Sequence, residues 1–375
     1  MEDDVLYLFS SNTRPRYLKD VLNVLGYPTG FTIHFRYERR YVQDKLWQEV
    51  CADASRLEGR PANIVFVDQD MPAPQGGPPL VRRLSPVRRA HVRRIESFEE
   101  TLHVHFTLGE FFAYVGLQDP DYDRELREVL GGDVPSDKYV ALGRVLRHSV
   151  DVSEVGDAWK SVVDQIANVD RFRDETLFVL IRGVKAADGS KERLTDLPDV
   201  KPRPEAPGGR TWVELRPGRH YVIDLAFRLA MDPGAAAAAE HRIALTADSA
   251  LIAFPQTEQT ALDARYDFRS FDAFVKMTER DAYTAVVVSL GRFGGEPVLV
   301  KAPDIILPVV IRLHHVKHLL KILAETTGIV AAAVGAALTT SAIRDGDYGF
   351  AFAVGILLIA VGGLVATVLR GFFRG

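Results

Sequence analysis

Positive charge is concentrated in one stretch of this sequence. "VRRLSPVRRAHVRR" carries Arg82, Arg83, Arg88, Arg89, Arg93 and Arg94 within 13 residues, and no acidic residue intervenes before Glu96. Guanidinium groups are planar donors that grip phosphate and carboxylate oxygens in pairs. An array of this kind therefore points to an anion, whether a nucleotide, a nucleic acid or an acidic lipid. In a strand, adjacent side chains point to opposite faces, so at most one arginine of each pair can share a face. The competing use is a solvated strand whose arginines pair with the carboxylates of "ESFEE" and "LGEFF". "HFRYERRY" adds Arg36, Arg39 and Arg40 among aromatic rings, which favours a nucleic-acid ligand.

A second candidate lies near the N-terminus, where Ser10, Ser11 and Asn12 stand between a strand pattern and a helix pattern. Hydroxyl and amide groups beside a helix N-terminus can hold a phosphate. No glycine-rich loop accompanies them, so backbone cradling is not indicated, and a polar capping turn accounts for them better. Three pairs have metal-ligand chemistry: Asp68 with Asp70, His103 with His105, and His314 with His318. Each lacks a third ligand, so no metal site is assigned. The one cysteine, Cys51, has no evident partner, and no Ser/His/Asp order or phosphate-binding loop is present. The sequence therefore offers no catalytic residues and calls for no cofactor; it favours a binding or sensing protein over an enzyme.

These side chains need a scaffold. A chain of 375 residues exceeds one ordinary core, and its charged fraction of 26% is that of a globular protein. A net charge of −4 gives no global attraction to nucleic acid, and a single cysteine suits a reducing compartment. Residues 1–118 alternate strand and helix patterns and predict an α/β or α+β domain. "VLYLF" and "ANIVFV" read as strands, and Leu18, Val21, Leu22 and Leu25 recur at helical spacing before Gly26. Residues 119–175 predict a helical spacer, with one helix over "SEVGDAWKSVVDQIANV" behind a Ser153 cap. Residues 176–313 carry many short apolar strands with turn signals between them, which predicts an antiparallel β-sandwich.

Residues 314–375 read differently. Thr326 to Ile343 and Tyr348 to Leu369 are uncharged runs separated by "RDGD". A helix needs about 20 apolar residues to cross a bilayer, so a transmembrane hairpin is expected, with spans over about 322–343 and 348–369. Arg312, Lys317, Lys321, Arg370 and Arg374 flank its outer ends, against Arg344 alone at the tip. The positive-inside rule then places both termini in the cytoplasm of a bacterial inner membrane. Small residues recur along both runs, at Gly328, Ala332, Gly335 and Ala336 and at Ala351 and Gly355. Such stripes let helices pack closely, within the hairpin or between chains of a homo-oligomer. The sequence thus predicts an α+β multidomain chain: an α/β domain, an antiparallel β-sandwich and a two-helix transmembrane hairpin. Its expected partners are the lipid bilayer, an anionic ligand or nucleic acid, and further copies of itself. The expected function is membrane-anchored cytoplasmic sensing. Two alternatives stand beside it: a membrane-disrupting effector that works by oligomerising its spans, and an anchored nucleotide or nucleic-acid binder using the arginine array.

Overall fold

The computed structural model describes residues 4–13, 15–70, 81–115, 120–129, 138–148, 150–167, 177–187, 194–197, 210–229, 241–255, 258–260, 266–278, 280–292, 305–313, 330–341, 343–344, 349–350 and 353–360. The chain divides into two compact units. One comprises Met1–Thr278 with Ala282–Ile311, the other Glu279–Asp281 with Arg312–Gly375.

The first unit opens with strand β1 (Asp4–Ser11), helix α1 (Pro15–Gly26), β2 (Thr32–Glu38), α2 (Asp44–Asp53) and β3 (Pro61–Gln69). The long hairpin β4 (Val81–Phe98) and β5 (Thr101–Phe111) follows, then α3 (Pro120–Val129) and β6 (Val140–Arg144). These strands form one six-stranded sheet in the order β2-β5-β4-β3-β1-β6, in which only β1 and β3 run parallel. The helical spacing of α1 buries Leu18, Val21, Leu22 and Leu25, each worth about 1.5–3 kcal/mol when fully withdrawn from water. The opposite face of the sheet has its own smaller core, in which Tyr7, Phe9, Val67 and Leu84 pack with Leu126 of α3.

Helices α4 (Val152–Val155) and α5 (Ala158–Ala167) connect to the sandwich. The single helix expected over 153–169 is broken at Gly156, whose φ of 74° is left-handed. The sandwich contains β7 (Leu177–Ala186), β8 (Leu194–Leu197), β9 (Arg210–Leu215), β10 (His220–Leu229), β11 (His241–Ala247), β12 (Ile252–Ala253), β13 (Glu258–Thr260), β14 (Tyr266–Val275), β15 (Ala282–Arg292) and β16 (Ile305–Ile311). One sheet has the order β12-β14-β10-β7 and the other β13-β11-β15-β16-β9-β8. The turn at Gly218 (φ 74°) carries the chain from β9 in one sheet to β10 in the other, and the Arg216 amide donates to the Tyr221 hydroxyl at 2.7 Å. The sandwich is mixed rather than antiparallel throughout, because β9 and β16 pair in parallel.

Both parts of this unit share one hydrophobic core, which runs from Leu6 and Leu25 to Leu225 and Leu307. Polar contacts fix the junction. The Trp159 indole donates to the Leu25 carbonyl at 3.1 Å, the Tyr27 hydroxyl to the Ile306 carbonyl at 2.9 Å, and the Thr32 amide to the Thr211 hydroxyl at 2.9 Å. Gly26 ends α1 at a close approach, since a Cβ there would meet Ile305 Cδ1 at 2.5 Å and the Val179 carbonyl oxygen at 3.3 Å.

The expected transmembrane hairpin is corrected by the second unit. Its described helical residues are 330–341, 343–344, 350 and 353–360, and no helix among the described residues is long and apolar enough to cross a membrane. A crossing needs about 20 apolar residues in one helix, to match a hydrocarbon layer of about 30 Å. The remaining residues of both expected spans, Gly328 and Ala351 among them, lie outside the described residues. Within the unit, Gly335 and Gly355 are buried against each other, so that a Cβ on Gly335 would meet the Gly355 carbonyl oxygen at 2.6 Å. Ala332 is half-buried and Ala336 exposed, and Thr339 and Thr340 donate back to the Gly335 and Ala336 carbonyls. The fold class is therefore mostly β, with strands over 49% of the described residues. The bilayer partner, the inner-membrane location and the span-based effector reading all rested on the hairpin and lose that support.

Candidate ligand-binding cleft

The arginine array does not converge. Strand β4 is bulged against both neighbours, with register shifts near Arg88 and between Val92 and Arg94, so strict alternation fails. Arg88 is fully buried. Its Nε donates to the Gly109 carbonyl at 2.6 Å, Nη1 to the Val24 and Tyr27 carbonyls at 3.0 and 2.6 Å, and Nη2 to the Thr29 hydroxyl at 2.9 Å. Val24 and Tyr27 lie at the C-terminal end of α1, where carbonyls lack helical partners and carry partial negative charge. Burial pushes the guanidinium down to about 9, with Glu110 acting in the opposite direction, so Arg88 remains charged at neutral pH.

The other members serve separate ends. Arg82 pairs with Asp70 at 2.6 Å, Arg94 with Glu96 at 2.7 Å, and Arg83 donates to Gln165 of α5. Arg89 lies over the Phe112 ring at 5.0 Å, and Arg93 reaches the Thr32 hydroxyl at 3.5 Å. Arg36 is exposed and registers with His103 across β2 and β5. Ser10, Ser11 and Asn12 are buried: Ser10 donates to the Tyr17 carbonyl at 2.7 Å, Ser11 shares a hydrogen bond with Thr13 at 2.8 Å, and Asn12 donates to Asp68 at 2.8 Å.

The expected histidine pair is part of a stack of three. The His34 ring lies 5.1 Å from His103 and 4.4 Å from His105, and His34 Nε2 meets His103 Nδ1 at 3.0 Å. Burial and the neighbouring imidazoles push His34 down to about 3, and burial, opposed by Glu96, holds His103 and His105 low. Rings stacked in this way do not converge on a metal. Among the described residues, no group of three or more His, Cys, Asp or Glu is placed to hold one.

What the structure does bring together lies at the junction of the two parts of the first unit. Strand β7 pairs with β10 so that Gly183 opposes Asp224 and Ile181 opposes Leu225, which leaves Arg182 as the extra residue of a bulge. Bulges re-aim side chains and recur beside functional sites. Arg182 is exposed, its guanidinium lies 4.8 Å from the centre of the Phe268 ring, and no carboxylate salt-bridges it among the described residues. Three adjoining clefts of 320, 440 and 340 Å3 all have Arg182 in their walls.

The first cleft runs from Thr29 and Arg88 to Asp157 and Trp159 at the start of α5. Asp157 accepts from the Tyr266 hydroxyl at 2.5 Å, and Asp164 of the same helix accepts from Lys160 at 2.9 Å and pairs with buried Arg228. These contacts brace α5 against β10 and β14. The second cleft adds Lys185, Asp224, Arg269 and Ser270. Burial works against the Asp224 carboxylate, but hydrogen bonds from Lys185 at 2.6 Å and Ser270 at 2.7 Å outweigh it and hold the carboxyl below its usual range. The third lies between the segment after α1 and the bulge, and includes Phe31, Glu110, Gly183 and Leu307. A Cβ on Gly183 would meet nothing within 4 Å, so this glycine faces open space.

Sequence reasoning passed over Arg182, Gly183 and Phe268 and treated Glu110 only as a counter-charge. The available signal was the dipeptide Arg182-Gly183 inside the apolar run "TLFVLIRGV", a charge and a missing side chain where a buried strand needs neither.

Comparison with known proteins adds little. No family model matches the chain, and no curated protein matches it. Among solved structures, the Bacteroides ovatus GH5 xyloglucanase in complex with a XXXG heptasaccharide matches at 15% identity, covering 27% of this chain and 17% of that one with a TM-score of 0.17. A likeness of that extent carries no argument about fold or function.

Proposed function

We infer that the chain is a small-molecule binding and sensing protein whose site is the cleft around Arg182, and that its ligand carries an anionic group. The observation that carries this reading is the bulge that turns Arg182 into the junction, where no carboxylate salt-bridges it among the described residues. An arginine held on a strand and backed by an aromatic face is a preorganised donor fork for a carboxylate or phosphate. The cleft walls come from both parts of the unit, so a ligand touching both shifts how they pack, which is the requirement for a sensor. The groups on offer are charges and apolar surface, and they explain binding without a reaction.

Thermal-shift assays of the full chain against small carboxylates, amino acids and phosphate monoesters test this reading. At about 100 times its Kd, a ligand adds about 2.7 kcal/mol of stability. Stabilising compounds should lose their effect in Arg182→Gln and in Gly183→Leu, which fills the open space beside the bulge. A panel whose members all act equally on wild type and Arg182→Gln would overturn the reading.

A further inference from the structure

Resting on the cleft reading above, we propose that the ligand is a zwitterion, an apolar α-amino acid whose carboxylate meets Arg182 and whose ammonium meets Glu110. The 340 Å3 cleft is near the small end of ligand sites, which begin at about 300 Å3. Its walls carry one cation and one carboxylate, Arg182 and Glu110. They come from different sheets, β7 and β5, and no salt bridge joins them, so their charged groups stand more than 4.0 Å apart. A group that bridges them must offer an anion to one and a cation to the other.

The rest of the lining suits an aliphatic or aromatic side chain: Phe31, Ile181, Val184, Val213 and Leu307. Gly183 leaves the space beside the bulge unfilled, which gives the ligand backbone room next to Arg182. A phosphate ester fits this cleft less well. Its second negative charge finds no second cation here, and Glu110 repels it. A plain carboxylate makes no use of Glu110, and a plain amine makes none of Arg182. Only a molecule with both charged groups on one carbon and an apolar remainder uses every wall.

Isothermal calorimetry on the full chain decides it, with L-leucine, L-valine and L-phenylalanine as probes. Two truncated forms of leucine separate the charges: 4-methylpentanoate lacks the amine and 3-methylbutylamine lacks the carboxylate. At least one amino acid should bind, and the truncated partner of leucine at each end should bind about tenfold more weakly or worse, the loss expected for one charge-assisted hydrogen bond. Glu110→Gln should weaken amino-acid binding to the same degree while leaving 4-methylpentanoate unchanged, a split that damage to the fold would not produce. If 4-methylpentanoate binds wild type as tightly as leucine, the zwitterion is overturned and the Arg182 cleft stands. If none of the three amino acids binds, the zwitterion is overturned outright. Binding that survives Arg182→Gln unchanged overturns both readings.

Discussion

Arg88 on β4 and Arg182 on β7 are arginines of the same unit, each placed where a bulge disturbs strand register, yet they do opposite work. The bulges around Arg88 turn it inwards, where four of its five N–H donors go to three carbonyls and a hydroxyl. The bulge at Arg182 turns it outwards, over an aromatic ring and into a cleft. The first arginine closes the end of α1 and fixes the segment around Thr29 that walls the cleft. The second lines that cleft, where the proposed ligand's carboxylate would meet it. Arginine content alone does not make a binding site; what matters is whether the fold has already used the donors.

The sharpest way to break this contrast is to remove each side chain in turn. Arg88→Met should cost at least about 3 kcal/mol in chemical denaturation, because it removes the guanidinium donors to the Val24, Tyr27 and Gly109 carbonyls. Arg182→Gln should stay within about 0.5 kcal/mol of wild type while abolishing ligand-induced stabilisation. Equal losses for the two would end the distinction between a structural and a functional arginine.

Two glycines sharpen the same contrast. Gly26→Leu should lose about 1–3 kcal/mol, because its Cβ already meets Ile305 and the Val179 carbonyl. Gly183→Leu, entering open space, should unfold near the wild-type midpoint and fail only in binding.

Stability against pH compares two half-buried groups of opposite sign. His34, at about 3 when folded and 6.5 otherwise, takes up its proton more readily in the unfolded chain, so its contribution is complete above pH 6.5 and is lost as pH falls towards 3. Asp20 is raised by burial from 3.8 to about 6, partly opposed by Arg16 and Lys19, so its contribution is complete below pH 3.8 and is lost as pH rises through 6. Between pH 4 and 6 the two slopes oppose, each at most about 1.4 kcal/mol per pH unit. His34→Phe should therefore leave a variant that loses stability as pH rises across that window, and Asp20→Asn one that loses it as pH falls. Denaturation midpoints measured at several pH values would show parallel curves if the two groups were solvated. The smallest effect belongs to Arg94→Gln, which removes an exposed pair with Glu96 and should change stability by about 0.5 kcal/mol or less.

Much of the scaffold was legible because its periods are simple. Leu18, Val21, Leu22 and Leu25 mark α1 at helical spacing, and Leu102, Val104, Phe106 and Leu108 alternate along β5 into the core. The hairpin of β4 and β5 and the change to strands alone after residue 176 follow from the same patterns. Function was less legible, because it depends on departures from period. A bulge shifts which residues face inwards without a local sequence signal, so Arg88 and Arg182 could not be sorted by counting along their strands. Gly156 divides a helix whose apolar face looks continuous. At the C-terminal end, hydropathy measured apolar length, whereas spanning a membrane requires that length in one helix, and no described helix has it.

The central claim concerns which arginine remains available, and arginine footprinting of the full chain measures that directly. The native protein would be treated with phenylglyoxal, with and without L-leucine, and each site quantified by mass spectrometry. The account predicts that Arg182 is modified and is shielded by leucine, that exposed Arg89 and Arg93 are modified with or without it, and that Arg88 stays unmodified until the chain unfolds. Modification of Arg88 in the native state, or an Arg182 whose modification no amino acid or other small anion reduces, would contradict it.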